Sequence, residues 1–370
     1  MLHNASAIYR SNIFFKMKLI LYSYLAAICH LRFIKSDIML AMPKPEETMA
    51  DTLDSKKINL KTSFFSFRTL LGLAIASLII YLFLRNFNLQ LALQALSSVN
   101  IFYLMAAFVI FYISLPLRGL RWQYMMKPTG QQIDTAKLSH YFFLSWFANA
   151  ILPARIGDIY RAYLLKKNHD ISISQSLGVI FSERIFDLAV TGILVILSAS
   201  VFWSVLKGGQ EVNYLGWGII IIAIFIFAFL ILIKFMPRFM GRLPITWQEK
   251  AARFQSGLFK SPGLIPSVGL MTIAIWLCEA TRLYFVFWAF NVHAGFMVAL
   301  FISQASLLLM SLPLSPAGLG LVELLMLKLL TSINLTAELA GAITIADRLI
   351  SYWSLILLGG IVYLLSPRER

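Results

Sequence analysis

The chain alternates between long apolar runs and short polar stretches rich in lysine and arginine. Six runs are long enough to cross a hydrocarbon core of about 30 Å as helices that rise about 1.5 Å per residue. These predicted spans cover residues 64–84, 99–117, 176–204, 213–236, 264–290 and 340–365. The pattern therefore predicts an all-α polytopic membrane protein.

Two further apolar stretches are shorter and are interrupted by proline and glycine. Residues 141–152 stop at Pro153, and residues 296–312 stop at Pro313 and Pro316. We interpret each stretch as one arm of a re-entrant hairpin, which enters the membrane, turns at a Pro/Gly tip and leaves by the same face. The alternative is that proline and glycine merely kink ordinary helices.

The distribution of lysine and arginine predicts which loops face the cytoplasm, because cytoplasmic loops carry an excess of these residues. With two re-entrant hairpins, every basic loop falls on one side. The residues counted in this way are Lys56, Lys57, Lys61, Arg68, Arg118, Arg121, Lys127, Lys137, Arg155, Arg161, Lys166, Lys167, Lys234, Arg238, Arg242, Lys250, Arg253, Lys260, Arg368 and Arg370. We therefore expect a multi-pass protein of the bacterial cytoplasmic (inner) membrane with both termini in the cytoplasm.

The polar pattern also predicts where the membrane domain begins. Residues 1–62 are expected to form an N-terminal tail, because residues 42–62 are polar and contain proline, a composition typical of disorder. Translation starting at Met42 or Met49 is an alternative interpretation. The membrane domain is predicted to span residues 63–366.

The two interrupted stretches resemble each other. Pro153-Ala-Arg-Ile-Gly157 matches Pro316-Ala-Gly-Leu-Gly320 at both the proline and the final glycine. The first hairpin would be entered from the cytoplasm and the second from outside. The sequence therefore predicts an inverted repeat with halves at about 99–204 and 264–365, an arrangement that places a transporter's binding site near the membrane midplane.

Charged landmarks flank both tips at similar distances. Arg121 precedes the first proline by 32 residues, and Arg282 precedes Pro316 by 34. Glu183 follows the first proline by 30 residues, and Asp347 follows the second by 31. Each half is therefore predicted to contain a span, a broken hairpin and a second span that carries an acid–arginine pair.

Several charged residues fall inside predicted membrane segments, where each costs at least about 2.5–3.5 kcal/mol on insertion scales. They are interpreted either as structural ion pairs that hold helices together or as the lining of a polar cavity. Such a cavity would receive an anionic headgroup, since guanidinium binds phosphate in a bidentate manner. The candidate substrate-binding residues are Arg121, Arg155, Gly157, Asp158, Arg161, Glu183, Arg184, Asp187, Arg282, Pro316, Gly318, Gly320, Glu323, Asp347 and Arg348.

The return arm of each hairpin is expected to start a helix near Gly157 or Gly320. Free amide groups and the positive end of the helix dipole would then point at a bound anion. The carboxylates of the set would orient the arginines, and one of them is a candidate for taking up a proton during transport.

Composition supports this interpretation and removes others. The chain is 59% hydrophobic and 13% charged, with a mean hydropathy of +0.78. Its net charge of +15 fits loops at an anionic leaflet better than nucleic-acid binding, which is not expected. The cysteines Cys29 and Cys278 are far apart and the histidines are scattered. We therefore predict no catalytic residues, no metal site and no cofactor.

The ordered set of motifs resembles the flippase-like membrane domain of lysylphosphatidylglycerol synthases, over roughly residues 64–366. The motifs are Arg118-x-x-Arg121-Trp122, Asn149-Ala-Ile-Leu-Pro153-Ala-Arg155-Ile-Gly157-Asp158-x-x-Arg161, Glu183-Arg184-x-x-Asp187, Pro316-Ala-Gly318-Leu-Gly320-x-x-Glu323 and Asp347-Arg348. The resemblance implies movement of a lipid, or of a lipid-linked sugar, between leaflets. Membrane lipids with phosphate headgroups are the expected partners.

Full-length synthases of that kind also carry an aminoacyl-transfer domain. No such region is apparent in this sequence, so lysine transfer is not expected. Two other functions stay open: a membrane-embedded transferase acting on a polyprenyl-phosphate or glycolipid, and an accessory subunit of a separate envelope-biosynthesis enzyme. The absence of a recognisable nucleotide-binding loop favours a transporter over an enzyme.

Overall fold

The computed structural model describes residues 99–152, 155–205, 245–258, 262–311 and 315–366. All regular secondary structure within these ranges is helical. The predicted tail 1–62 and the predicted spans 64–84 and 213–236 lie outside the described residues.

The helices are numbered along the chain. They are α1 (Ile101–Met126), α2 (Thr135–Ile151), α3 (Ile156–His169), α4 (Ile173–Val205), α5 (Ile245–Gly257), α6 (Ile265–Ala289), α7 (Phe296–Ser311), α8 (Leu321–Ser332), α9 (Ala337–Arg348) and α10 (Ser354–Leu365). A π-helical turn, Leu349–Trp353, joins α9 to α10 into one long helix.

Four helical segments are long and apolar enough to cross a membrane: Ile101–Thr129, Ile173–Phe202, Ile265–Ala289 and Ala337–Leu365. They correspond to the predicted spans 99–117, 176–204, 264–290 and 340–365. The predicted all-α polytopic fold is therefore confirmed for the part of the chain that the structure describes.

Helix α1 is longer than its predicted span, which was expected to end at residue 117. The helix continues through Pro116 to Met126. Arg118 and Arg121, counted from the sequence as cytoplasmic loop charges, lie within the helix with side chains only 3% and 1% exposed. That assignment was wrong because counting loop charges treats every arginine beside an apolar run as solvated, whereas these two have carboxylate partners on other helices.

The first interrupted stretch folds into two helices that pack against each other. Helix α2 ends at Ile151, and α3 begins at Ile156 after a short break. The backbone of Gly157 approaches α2 so closely that an added methyl group would lie 2.1 Å from the carbonyl oxygen of Ser145. Only glycine permits this approach, so the residue at 157 sets how tightly α3 folds back on α2.

The second interrupted stretch has the same organisation. Helix α7 ends at Ser311, and α8 begins at Leu321 after the 3₁₀ turn Pro316–Gly318. Val322 and Met326 of α8 share a buried apolar cluster with residues of α7, including Ile302. Both stretches are therefore helix–break–helix units.

The two breaks share one backbone feature. Arg155 and Gly318 each lie two residues after the matched prolines of the sequence, and both are left-handed, with φ of 55° and 70°. A left-handed conformation costs a residue other than glycine about 1–2 kcal/mol. The first break therefore carries this strain at Arg155, whereas the second carries it one residue earlier, at Ala317, with φ of 44°.

The breaks also lie near each other. Ala150, at the end of α2, and Leu319, in the second break, belong to one buried cluster with Leu115, Tyr352 and Leu355. The two interruptions consequently meet between α1 and the long C-terminal helix.

Candidate functional site

A cluster of charged side chains lies on the described helices and at the first break. It contains seven arginines and six carboxylates, which form two groups joined along α1. The first group comprises Arg121, Arg155, Arg161, Arg184, Asp158, Glu183 and Asp187. The second group comprises Arg118, Arg282, Arg348, Glu279, Glu323 and Asp347.

Glu183 of α4 is the centre of the first group. Its Oε1 accepts a hydrogen bond from Arg121 Nη2, and its Oε2 accepts one from Arg161 Nη2, both at 2.8 Å. Arg121 Nη1 also donates to Asp187 Oδ1 at 2.6 Å and to Thr272 Oγ1 at 3.0 Å. Because an unpaired buried charge is strongly destabilising, these mutual pairs hold α1, α3, α4 and α6 together.

Arg161 is fully enclosed. Its guanidinium carbon lies 4.3 Å from the ring centre of Trp122 and 4.7 Å from that of Phe142. Two aromatic faces, the carboxylate of Glu183 at 2.8 Å and that of Asp158 at 4.0 Å therefore surround the charge, so that cation–π attraction adds to the ion pairs. No bulky ligand reaches this arginine without displacing the rings.

Three other side chains form the exposed edge of the first group, here called the rim: Arg155, Asp158 and Arg184. Arg184 Nη1 donates to Asp187 Oδ2 at 3.1 Å, and its Nη2 lies 3.6 Å from Asp158 Oδ1. Arg155 Nε lies 4.0 Å from Asp158 Oδ2. The side chains of Arg155 and Arg184 are 31% and 21% exposed, more than those of the other arginines in the cluster.

The second group is built on Glu279 of α6. Its Oε1 accepts from Arg118 Nη2 at 2.9 Å, and its Oε2 accepts from Arg282 Nε at 3.3 Å. Arg282 also donates to the carboxylate of Asp347. Arg118 lies over the rings of two tryptophans, Trp146 and Trp276, at 4.5 and 4.9 Å. Glu279 thus joins an arginine of each predicted repeat half.

Arg348 connects the long C-terminal helix to the second break. Its Nε donates to Glu323 Oε1 at 2.7 Å, and its Nη2 donates to the carbonyl oxygen of Ala317 at 3.3 Å. The other oxygen of Glu323 accepts from the backbone amide of Gly320 at 2.6 Å. One carboxylate therefore caps helix α8 and holds Arg348.

The amide groups of Gly157 and Gly320 differ from the sequence expectation, which left them free for a bound anion. Gly157 N donates to Asn149 Oδ1 at 2.8 Å, and Gly320 N donates to Glu323. Both amides are therefore occupied by side chains of the protein. Any anion-binding capacity of the cluster resides in guanidinium groups rather than in these two amides.

The same ion pair recurs at matched positions of the two halves. Arg121 of α1 pairs with Glu183 of α4, and Arg282 of α6 pairs with Asp347 of α9. These are the landmarks that flank the two tips at similar sequence distances. The structure therefore brings together the residues that the sequence comparison placed in register.

Tyr352 joins the C-terminal helix to the first break. Its hydroxyl donates to the carbonyl oxygen of Ala150 at 3.1 Å, and Arg348 lies over its ring at 4.8 Å. Arg348 and Tyr352 are one turn apart, and each satisfies a carbonyl group at a different break. The C-terminal helix consequently fastens both interruptions at once.

The structure brings together all the charged residues of the predicted set. The predicted glycines lie at the two breaks, and Pro316 begins the second one. Sequence reasoning did not assign Asn149, Thr272 or Tyr352 a role, since an uncharged side chain in an apolar helix gives no signal of its partner. Within the described ranges, no group of three or more His, Cys, Asp or Glu side chains is arranged to hold a metal ion.

The chain is similar to known membrane proteins over most of its length. Residues 69–359 match the family described as the lysylphosphatidylglycerol synthase TM region, which confirms the resemblance. A UPF0104 membrane protein of Methanocaldococcus jannaschii is 34% identical over 60% of this chain and 95% of its own length. A UPF0104 membrane protein of Methanothermobacter thermautotrophicus is 29% identical over 67% and 78%. Glycosyltransferase AglD of Haloferax volcanii is 28% identical over 64% of this chain and 45% of its own length.

Proposed function

Because this chain belongs to the family of the lysylphosphatidylglycerol synthase TM region, we propose that it moves a lipid with an anionic headgroup, or a lipid-linked substrate, between the two leaflets. The observation that carries the proposal is the arginine–carboxylate cluster beside two helix breaks that meet in the bundle. A phospholipid crossing a bilayer must bring its charged headgroup through hydrocarbon. A chain of paired charges lowers that cost, because a phosphate can exchange with a carboxylate for the same guanidinium.

In this proposal the α2–α3 and α7–α8 units are re-entrant hairpins. At about 1.5 Å per residue, α2 and α3 are about 26 and 21 Å long, and α7 and α8 are about 24 and 18 Å long. Each arm is shorter than a hydrocarbon core of about 30 Å. The tips therefore fit inside the bilayer, and their contact in the bundle supports a common depth.

The two hairpins are proposed to enter from opposite faces, as the arms of an inverted repeat. Repeats of this kind let one half rock against the other around a fixed central site. The recurring arginine–acid pair and the matched left-handed residues support the repeat. The surrounding membrane is proposed to be cytoplasmic, of a bacterium or an archaeon, since the relatives named above are archaeal.

A liposome assay tests the proposal. Purified protein is reconstituted with a phosphatidylglycerol that carries a fluorescent group, and the outer-leaflet label is quenched with a membrane-impermeant reductant. Protein-free liposomes lose about half of the signal, whereas active proteoliposomes are expected to lose nearly all of it. A quench that stays at half with correctly folded protein would contradict lipid translocation.

A second candidate is chemistry on a lipid, or partnership with an enzyme that performs it. This candidate is favoured by the similarity to glycosyltransferase AglD, of which the match covers 45%. A covalently altered lipid in extracts of expressing cells, absent when Asp158→Asn is expressed at the wild-type level, would support chemistry within this chain. Copurification with a separate enzyme, without translocation by the chain alone, would support an accessory role.

A further inference from the structure

The two charged groups differ in their balance of charge. Within the described residues, the first group has four arginines and three carboxylates, whereas the second has three of each. The first group therefore carries one formal positive charge that no described carboxylate neutralises. A surplus charge in a membrane bundle is costly and calls for a counter-ion.

The surplus lies at the rim. Arg121 and Arg161 are almost fully buried and each donates to Glu183 at 2.8 Å. Arg155 and Arg184 share Asp158 at 4.0 and 3.6 Å, distances longer than a hydrogen bond. Arg184 also donates to Asp187 at 3.1 Å, but that carboxylate already accepts from Arg121 at 2.6 Å. The Nε of Arg184 is buried without a hydrogen-bond partner. Arg121 and Arg161 also have N–H groups without a partner, but their side chains are only 1% and 0% exposed. Arg155 and Arg184 are 31% and 21% exposed, so a ligand can reach their donors.

The backbone at Arg155 gives an independent reason to regard its side chain as functional. Its φ and ψ are 55° and 38°, a left-handed conformation that suits glycine. The matched position of the second break is Gly318, with φ of 70°. The first break thus carries a large cationic side chain where the backbone favours none, and strain of this kind concentrates at binding sites.

We infer that Arg155 and Arg184 bind one phosphate group of single negative charge, a phosphodiester, at the rim beside Asp158. A single negative charge neutralises the first group, whereas a diphosphate would leave it negatively charged. Asp158 sharpens this preference, because its carboxylate faces both arginines and repels a more highly charged ligand. The planar forks of the two guanidinium groups match the oxygen atoms of a phosphodiester. The inference builds on the proposed function, since it names the group by which the translocated lipid is held.

A binding assay on the full chain in detergent tests this site with three probes. They are dihexanoylphosphatidylglycerol, which is a phosphodiester lipid, dimethyl phosphate, which lacks acyl chains, and farnesyl diphosphate. We expect the phosphodiester lipid to bind more tightly than the diphosphate. Loss of one charge-assisted contact predicts at least about tenfold weaker lipid binding for both Arg155→Gly and Arg184→Gln. Competition by dimethyl phosphate would show that the phosphate alone is recognised, and its failure to compete would assign recognition to the whole lipid.

Arg155→Gly also separates binding from folding. Glycine suits the left-handed backbone, so the melting temperature of this variant is expected to stay close to that of the wild type. Arg253→Ala is the matched control, because Arg253 is exposed on α5 and its loss changes the net charge equally. Unchanged lipid affinity in both rim variants would overturn the site, as would tighter binding of the diphosphate. If wild-type protein moves lipid in liposomes and the rim variants move it equally fast, the site is wrong and the proposed function stands. If wild-type protein moves none but shows rim-dependent binding, the site stands and translocation is wrong.

Discussion

Arg161 and Arg155 lie close together in the chain, yet their surroundings differ. Arg161 is enclosed by Trp122 and Phe142 and donates to Glu183, whereas Arg155 has Asp158 at 4.0 Å as its ion-pair partner and a side chain that is 31% exposed. The first arrangement is that of a structural ion pair and the second that of an unsaturated binding group. The sequence placed these arginines in one candidate set. Their burial and pairing in the structure separate those with a structural role from those available to bind a ligand.

Glu183→Gln tests the structural role of the enclosed pairs. The substitution leaves Arg121 and Arg161 without their shared carboxylate, and breaking a buried pair in this way costs about 3–5 kcal/mol. We expect a clearly lower melting temperature of the detergent-solubilised protein. Glu249→Gln, at an exposed position of α5, removes the same charge as a control and is expected to have little effect. Equal melting temperatures for the two variants would mean that Glu183 contributes no net stability.

Helices and breaks were predictable to different degrees. The sequence located both interruptions, because proline and glycine disturb an apolar run visibly. It misplaced the end of α1, because the charges of Arg118 and Arg121 interrupt the hydropathy pattern while the helix continues. Their partners Glu279 and Asp187 lie on helices far away in sequence. A single sequence contains no sign of pairing between distant helices, so these contacts were not predictable.

Gly157→Ala tests the packing of α3 on α2. The added methyl group would lie 2.1 Å from the Ser145 carbonyl oxygen and 2.7 Å from Asn149 Oδ1. Overpacking of this kind costs about 1–3 kcal/mol, so we expect a lower melting temperature. Gly269→Ala is the control, since nothing lies within 4 Å of the added carbon and alanine favours the helix. A Gly157→Ala protein as stable as this control would show that α3 does not need the close approach.

At the scale of the whole molecule, the described residues include four helices long enough to span a membrane and two pairs of shorter helices that contain the breaks. The charged pairs link the long helices, and Arg348 and Tyr352 fasten both breaks to one of them. A movement of the C-terminal helix would therefore shift both breaks together. In an inverted repeat this coupling serves transport, because the central site can then open towards one face of the membrane only when it closes towards the other.

The two hairpins are proposed to enter the membrane from opposite faces, and the accessibility of their outer ends tests this orientation. Three predicted spans lie between them, so their outer ends should lie on opposite faces. Single cysteines at Asn168, in the last turn of α3, and at Asn334, after α8, report on these ends in a background carrying Cys29→Ser and Cys278→Ser. In intact cells, an impermeant maleimide is expected to label position 334 directly.

Position 168 should be labelled only after permeabilisation, and Ser256→Cys on α5 is the cytoplasmic control. Both test positions are exposed, so access to the reagent depends on sidedness rather than burial. Labelling of both positions from the same face would place the hairpins in parallel. The proposed rocking of one repeat half against the other would then lose its basis. The ion pairs and the rim would be unaffected, because they depend on contacts within the bundle and not on its orientation in the membrane.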